Sequence, residues 1–545
     1  MNSPLLGATI VTALTACGVT DVVLAPGSRN AALALALHHA DARGHLRLHV
    51  RVDERVAAFT ALGLAKGSGR VVAVVTTSGS AVGNLAPAAM EARAAGVGLL
   101  LITADRPAEA IGTGANQTGE QVGAFGPAAV ATVRVSSLSG DVASWGAAVQ
   151  RACVAAAGLR TRRPGPVHLN AEFSPPLVGP VPDAPFVAAE THGSDGVAVY
   201  EVADAENTVV LVGDAGWSAG VEARALAELA GLPLLAEPSS NARTGECAIA
   251  HYRLLIDSPL GQRIRRVVCF GHPTLSRPVT ALLSRADVEV IVVAERAEWG
   301  DVGSRATAVV DRVLLPDGDP DWLARWQDAD RNVATRRVHG WDGHAVASAV
   351  VASVGPDDAL FLGSSQSIRD ADLAPVNQRP ARVWANRGLA GIDGTLSTAT
   401  GVALATGAPT TVLLGDLTLQ HDMGALVAAP LEPGCDIRVV VVDDDGGAIF
   451  STLEQGGPDY DGAFERVFGT PQGIDLAAVA TALGWRVTTV TDVESLRAGL
   501  AAPVIGRQLV LASVERTARR CTDAALRELG LAAGSWMDQP GKHPA

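Results

Sequence analysis

The chain has cysteines but no spacing that would tie them together. Cys17, Cys153, Cys247, Cys269, Cys435 and Cys521 are scattered through 545 residues with no C-x-x-C pair. A disulfide framework and a zinc site are therefore set aside, and reduced structural thiols in a cytoplasm are expected. Positive charge is also short: the formal net charge is −14. That balance argues against a nucleic-acid or anionic-membrane surface. An anionic small molecule would need arginines gathered locally against the global field. Met1-Asn2-Ser3-Pro4 opens no basic region followed by an apolar core, so no signal peptide is expected. No apolar run approaches the roughly 18 residues of a membrane span, and Val97 to Ile102 fits a buried strand instead. There is no short-period repeat. The glycine-rich loop Gly112 to Gly119 has neither the feeding strand nor the spacing of a dinucleotide fingerprint.

What is present is core-forming. Hydrophobic residues make up 48% of the chain and charged ones 18%, a globular balance. The length suggests three or four units of roughly 150 residues each. Strand, turn and helix alternate from the start: strands at Asp21–Ala25, Leu46–Val52, Val71–Val75, Gly98–Thr103 and Pro166–Asn170, with a helix at Ala31–His39 and another from Asp53 toward Lys66. This is the pattern of a doubly wound parallel sheet. A proline-rich linker spans Pro175 to Pro185. A second α/β stretch has strands at Thr208–Val212, Arg266–Phe270 and Val288–Val293, and a polar helix at Trp322–Val338 leads into a third. That third stretch carries strands near Leu360, Arg382, Val412, Val439 and Leu509. The expected domains are 1–180, 190–335 and 340–537, the first and third alike in layout, with a frayed tail from Gln539.

The strongest chemical signal lies in the third stretch. Leu413-Leu414-Gly415-Asp416 and Val439 to Asp444 are aliphatic strands that each stop at a carboxylate. Strand ends of this kind open into a binding crevice. Asp416 and Asp444 are 28 residues apart, enough for one crossover between neighbouring parallel strands. Two hard oxygen donors beside glycine backbone suit Mg²⁺ or Mn²⁺ together with a phosphate. The bland alternative is a helix N-cap at each strand end. Before them, Asn386 to Gly394 opens a small-residue helix at Leu396–Ala405, where glycine backbone and a helix start could meet an anionic ligand. In the first stretch, Pro26-Gly27-Ser28-Arg29, Asp53-Glu54-Arg55 and Asp105-Arg106-Pro107 all fall at strand ends. Singly they read as a turn, a helix start favoured by the dipole, and a salt bridge. Together they lie along one crevice.

These elements resemble those of the thiamin-diphosphate-dependent 2-oxoacid decarboxylase superfamily. They are closest to the branch that joins 2-oxoglutarate to isochorismate in menaquinone synthesis. The residues that carry the resemblance run in the same order over nearly the whole chain. They are Pro26-Gly27-Ser28-Arg29-Asn30, Asp53-Glu54-Arg55, Thr77-Ser78-Gly79, Asp105-Arg106-Pro107, Gly114-Ala115-Asn116-Gln117, Asn386-Arg387-Gly388, Gly391-Ile392-Asp393-Gly394, Leu396-Ser397-Thr398, Gly415-Asp416-Leu417 and Gly446 to Phe450. The resemblance implies three α/β domains: pyrimidine-binding, central and diphosphate-binding. It implies that Glu54 hydrogen-bonds N1′ of the cofactor's aminopyrimidine, favouring the tautomer that deprotonates the thiazolium. Ile392 would hold the cofactor bent. Asp416, Asp444 and the Gly446 carbonyl would hold the metal. Gln117, Gly415, Leu417, Ile449 and Phe450 would line the cofactor.

Both implied substrates are dianions, and arginine is the fitting partner for carboxylates. Ser28, Arg29, Arg106, Asn116 and Gln117 match residues that hold the acceptor. Ser365 and Arg369 match the pair that grips the donor's distal carboxylate, with Arg387 lining the pocket and Arg277 reaching in from the middle domain. Two departures stand out. Asp443-Asp444-Asp445 is more acidic than the usual Asn-containing turn, and strand alternation is expected to turn the neighbours of Asp444 away. Ser276 replaces a basic residue found in some relatives. The implied assembly is a homodimer with active sites shared between chains, paired further into a homotetramer. The rivals are a carboligase acting on another 2-oxo acid such as pyruvate, and a non-catalytic binding protein on the same fold.

Overall fold

The computed structural model describes residues 3–193 and 198–535. Met1, Asn2, the last residues of the third expected domain and the tail from Gln539 lie outside them. The chain divides into two compact units. One comprises residues 1–195 with 388–407 and 421–435; the other comprises 196–387, 408–420 and 436–545.

The first unit is built on six parallel strands: β1 (Asp21–Leu24), β2 (Arg47–Val50), β3 (Val72–Thr76), β4 (Leu99–Asp105), β5 (Ala131–Ser136) and β6 (Pro166–Glu172). Their order is β2-β1-β3-β4-β6-β5. Strands β1, β3, β4 and β6 are buried at every residue, because helices cover both faces and continuous aliphatic runs are favoured there. Alternation along each strand divides the core in two. Val22, Leu24, Ala73, Val75, Leu100 and Ile102 meet the helices Ser3–Ala16, Ala31–Ala42 and Val142–Ala156. Val23, Val72, Val74, Leu99 and Leu101 meet Glu54–Ser68 and Ala86–Ala95.

The Glu54–Ser68 helix is capped by Asp53, whose carboxylate accepts from the backbone of Arg55 at 2.8 Å and Val56 at 3.2 Å. It is buried from Val56 to Ala65. Part of its cover is the Thr395–Thr406 helix, which belongs to the same unit. Glycines let the two backbones touch. A Cβ on Gly63 would run into the Thr398 carbonyl, and one on Gly401 into the Thr60 carbonyl. The small residues within this helix therefore serve helix packing. The helix start is likewise filled from within: the Asp422 carboxylate accepts from Ser397 N at 2.7 Å and Ser397 Oγ at 2.9 Å.

The second unit holds a parallel sheet of five strands and one of six. Strands β8 (Thr208–Val212), β9 (Leu234–Ala236), β10 (Arg266–Phe270), β11 (Glu289–Val293) and β12 (Ala306–Val310) are ordered β12-β11-β10-β8-β9. A short ribbon pairs β7 (Val199–Glu201) with β13 (Arg312–Leu314). Strands β14 (Ala359–Leu362), β15 (Arg382–Ala385), β16 (Thr410–Gly415), β17 (Ile437–Asp443), β18 (Arg486–Val490) and β19 (Arg507–Ser513) are ordered β15-β14-β16-β17-β19-β18. Numbered from its own first strand, that is the order of the first sheet. The α/β parallel-sheet class expected from the sequence is thus what the chain adopts.

Several strand ends differ by one or two residues from expectation, and two of them bear on the site. β4 runs on through Asp105, two residues past Thr103. β17 stops at Asp443, so Asp444 and Asp445 belong to a turn, with Asp445 in the left-handed region at φ 52°. Strand alternation therefore does not orient Asp444. All six cysteines are free. Among the described residues, no helix is long and apolar enough to cross a membrane.

Candidate active site

Strands β16 and β17 are hydrogen-bonded neighbours, and Gly415 pairs with Val442. Asp416 and Asp444 therefore leave adjacent strands at the same edge. Gly446 N donates to Asp416 Oδ2 at 2.8 Å, which folds the turn back over the strand end. Gly446 sits at φ 144°, and a Cβ there would overlap the Gly469 carbonyl and the Arg516 guanidinium. Burial pushes the Asp416 carboxyl up to about 6. Burial and then the Asp416 charge push Asp444 up to about 8. Asp444 Oδ1 is buried without a hydrogen-bond partner.

Arg516 and Arg519 lower the Asp444 pKa through space, but among the described residues no cation forms an ion pair with Asp416 or Asp444. Two neighbouring carboxylates in that state are what a divalent metal would relieve, so these residues fit the implied group. Among the described residues, no three His, Cys, Asp or Glu side chains cluster as a metal site. A two-carboxylate site with a backbone carbonyl needs no third, since Mg²⁺ takes its remaining oxygens from water and phosphate. Beyond the turn, Phe450 packs 5.9 Å from Phe468 between ring centroids.

In the same unit, Ser365 takes φ 74° at the end of the loop after β14. Its carbonyl accepts from Arg369 Nη1 at 2.6 Å. Burial, together with the charges of Arg387 and Arg253, lowers the Arg369 pKa to about 10. Arg387 is buried, with Thr274 Oγ1 at 3.3 Å and Ser364 Oγ at 3.5 Å. Arg253 completes the cation group, bonded to the Arg369 carbonyl at 3.2 Å and to Asp372 at 3.3 Å. Asp372 in turn accepts from the buried Tyr252 hydroxyl at 2.9 Å. Arg277 stands apart. Its guanidinium pairs with Glu454 at 2.8 Å on an exposed surface.

In the first unit, Glu54 opens its helix half-exposed, and Asn84 Nδ2 donates to it at 3.0 Å. Ile392 is half-buried. The Arg106 guanidinium bonds Ser78 Oγ. Gln117, in the left-handed region at φ 55°, donates to the Ser78 carbonyl at 2.8 Å and accepts from Ser78 Oγ through its own carbonyl at 3.1 Å. Arg29 donates to the Phe173 carbonyl at 2.8 Å. Burial and the neighbouring Arg106 charge lower its pKa. Ser28 and Asn116 are exposed beside them.

The sequence reading did not single out Arg253, Asp422 or Tyr252. Each is an ordinary polar residue in sequence, and its partner lies 25 to 120 positions away.

Comparison with known proteins shows the family. Residues 5–124 match the family described as thiamine pyrophosphate enzyme, N-terminal TPP binding domain. Residues 365–512 match its C-terminal TPP binding domain. A 2-succinyl-5-enolpyruvyl-6-hydroxy-3-cyclohexene-1-carboxylate synthase from Nocardioides sp. is 46% identical, over 95% of this chain and 96% of its own. The chain belongs to this synthase family. Synthases of the same name from Kineococcus radiotolerans and Paenarthrobacter aurescens are 47% and 45% identical, covering 88% and 96% of this chain and 90% and 96% of their own. As a family member the chain is a thiamin-diphosphate-dependent transferase-type enzyme.

Proposed function

We propose that this synthase decarboxylates 2-oxoglutarate and adds the resulting succinyl-semialdehyde carbanion equivalent to isochorismate. The product is that of the synthase name, in menaquinone synthesis. The observation that carries the donor choice is the Arg253, Arg369 and Arg387 group. Arg387 and Arg253 lower the Arg369 pKa, and no carboxylate forms an ion pair with Arg369 or Arg387 among the described residues. A donor with a second carboxylate answers that charge, and pyruvate does not.

Residues 1–180, 190–335 and 340–537 serve on this reading as pyrimidine-binding, central and diphosphate-binding domains. Asp416, Asp444 and the Gly446 carbonyl would hold Mg²⁺ or Mn²⁺, with Gly415, Leu417, Ile449 and Phe450 around the cofactor. Thiamin diphosphate, when bound, supplies the electron sink for decarboxylation. Glu54 would hold a proton at N1′ of its pyrimidine, and Ile392 would press the cofactor into its bent form. Arg369, backed by Ser365, would orient the donor. Arg29, Arg106, Ser28, Asn116 and Gln117 would take the acceptor's carboxylates. Release of CO₂ from 2-oxoglutarate tests the reading, measured with and without isochorismate and against pyruvate. Equal turnover of pyruvate would remove the donor assignment.

We further propose a homodimer, assembled as a homotetramer, in which Glu54 of one chain works with Asp416 and Asp444 of the other. Val52, two residues before Glu54, is 85% exposed and Leu389 is 57% exposed in the same unit, apolar surface of the kind a partner covers. Glu54→Gln and Asp416→Ala chains should each be inactive. A heterodimer of the two would contain one intact site and recover part of the activity. No recovery in verified heterodimers would place each site within one chain. The six free cysteines support a reducing, cytoplasmic location.

A further inference from the structure

Behind the acceptor-side residues of the first unit runs a buried chain of polar groups. It begins at His168 on β6, fully buried and packed edge-on against Phe125 at 4.9 Å. Its Nε2 lies 2.8 Å from Thr103 Oγ1 on β4. Thr103 Oγ1 donates to Asn170 Oδ1 at 2.8 Å. Because a hydroxyl has one proton, His168 must donate to Thr103 from Nε2, which leaves Nδ1 bare. His168 Nδ1 indeed has no partner, and burial alone lowers the ring's pKa to about 4, so it stays neutral.

From Asn170 the chain divides. Its Nδ2 donates to Asp105 Oδ2 at 2.9 Å, and the other Asp105 oxygen accepts from Arg106 N at 2.7 Å. Gln121 Nε2 donates to Asn170 Oδ1 at 3.2 Å and to the Ala104 carbonyl at 3.3 Å. Gln121 Oε1 accepts from Gly79 N at 2.9 Å. Thr103, Asp105, His168 and Asn170 are all fully buried, and Gln121 is nearly so. Each amide has only one orientation that satisfies these bonds, since turning Asn170 would set its NH₂ against two donors. From Asn170 one branch ends at Arg106 and the other at Gly79.

We propose that Asn170 is a positioning residue for the acceptor. Its side chain fixes the Arg106 backbone through Asp105. Through Gln121 it fixes the Ser78-Gly79 turn that holds the Arg106 guanidinium and Gln117. Gly79 has φ 83°, and a Cβ there would lie 2.8 Å from Gln117 Cγ, so a small displacement of this turn moves Gln117 with it. The inference rests on the acceptor role proposed above for Arg106 and Gln117.

Asn170→Asp keeps the shape but removes the donor that faces Asp105. It should raise KM for isochorismate about ten-fold, less than the roughly 100-fold that a 1 Å misplacement can cost. CO₂ release from 2-oxoglutarate without acceptor and the affinity for thiamin diphosphate should stay within about two-fold of wild type. Thr103→Val should act in the same direction and Thr103→Ser should restore the wild-type KM, which keeps the idea testable if Asn170→Asp folds poorly. Amide hydrogen exchange over residues 77–80 and 105–107 should quicken in Asn170→Asp and Thr103→Val. Unchanged protection there, or a fall in kcat and acceptor-free CO₂ release equal to the KM effect, would overturn the proposal. Arg106→Ala separates the two claims. If exchange quickens in Asn170→Asp while Arg106→Ala leaves the isochorismate KM alone, positioning stands and the acceptor reading fails. If Arg106→Ala raises KM and Asn170→Asp does not, positioning fails.

Discussion

The two six-stranded sheets share one strand order, and their fourth strands, β4 and β17, both end on an aspartate after seven residues. What surrounds those ends is opposite. Asp105 has a donor on each oxygen, one from an amide and one from backbone. Past Asp443, Asp444 keeps a buried oxygen with no donor and faces Asp416. One frame therefore makes two kinds of site. A saturated end fixes geometry, and an end with uncompensated charge calls for a cation. Asp370, also buried and in the same unit as Asp444, shows the difference is local. It takes Arg519 through two bonds of 3.1 and 2.5 Å and Gln366 at 2.8 Å. Although burial pushes its carboxyl up, Arg519 and His344 hold it below the usual value.

The sharpest test of that contrast is to neutralise each acid in metal-free protein. Asp370→Asn should cost about 3 kcal/mol of stability, because the buried Arg519 loses the partner that takes two of its bonds and keeps only Asp523 at 3.0 Å. Asp444→Asn should cost nothing and should stabilise by relieving repulsion with Asp416. Chemical denaturation after chelation reads both, and a large loss in Asp444→Asn would end the contrast. Next in size, Asp416→Ala should weaken thiamin diphosphate binding by at least about 100-fold in the presence of Mg²⁺. Calorimetry measures it, and unchanged affinity would remove the metal assignment. Arg369→Ala should raise KM for 2-oxoglutarate one to two decades, the value of a charge-assisted contact of roughly 1.5–3 kcal/mol. A donor lacking the distal carboxylate should be affected far less. Equal loss with both donors would mean the arginine grips something else.

Glu237 sharpens the contrast from a third side. It is fully buried, one oxygen accepts from Leu275 N at 3.0 Å, and the other has no partner. Burial raises its pKa to about 8. The folded protein then holds a proton that the unfolded chain releases near the ordinary carboxylate value of about 4.3. Stability from this group is present below that value and is lost as pH rises through about 8, at up to about 1.4 kcal/mol per pH unit. Glu237→Gln should flatten that part of the stability–pH curve. An unchanged slope would show that Glu237 is already ionised in the folded state.

How much of this was legible in sequence follows from burial. Central strands such as β3 and β16 announce themselves as unbroken aliphatic runs. Edge strands β5 and β18 escaped notice, since their Ala131–Ser136 and Arg486–Val490 segments are largely exposed or half-exposed. Acids at strand ends were readable because the fold places such ends together. Asn170, Gln121, Asp422 and Glu237 were not, because a buried polar residue looks like a surface one until its partners are known. Gly394 and Gly401, at the start and within the helix after Asn386, pack against Phe59 and Gly63, a contact that sequence does not reveal.

That helix pair also bears on how such a chain could be taken apart. Sequence segmentation invites cuts near the proline-rich linker and near residue 340, as if the pieces were interchangeable modules. Residues 388–407 nevertheless fold with the first sheet, and Gly63 and Gly401 leave no room for a side chain on either helix. A chimera that draws residues 1–180 from one parent and 340–537 from another would bring together two helices that had never been fitted to each other. The workable recombination points lie where both helices travel together, and the unit of inheritance is the pair.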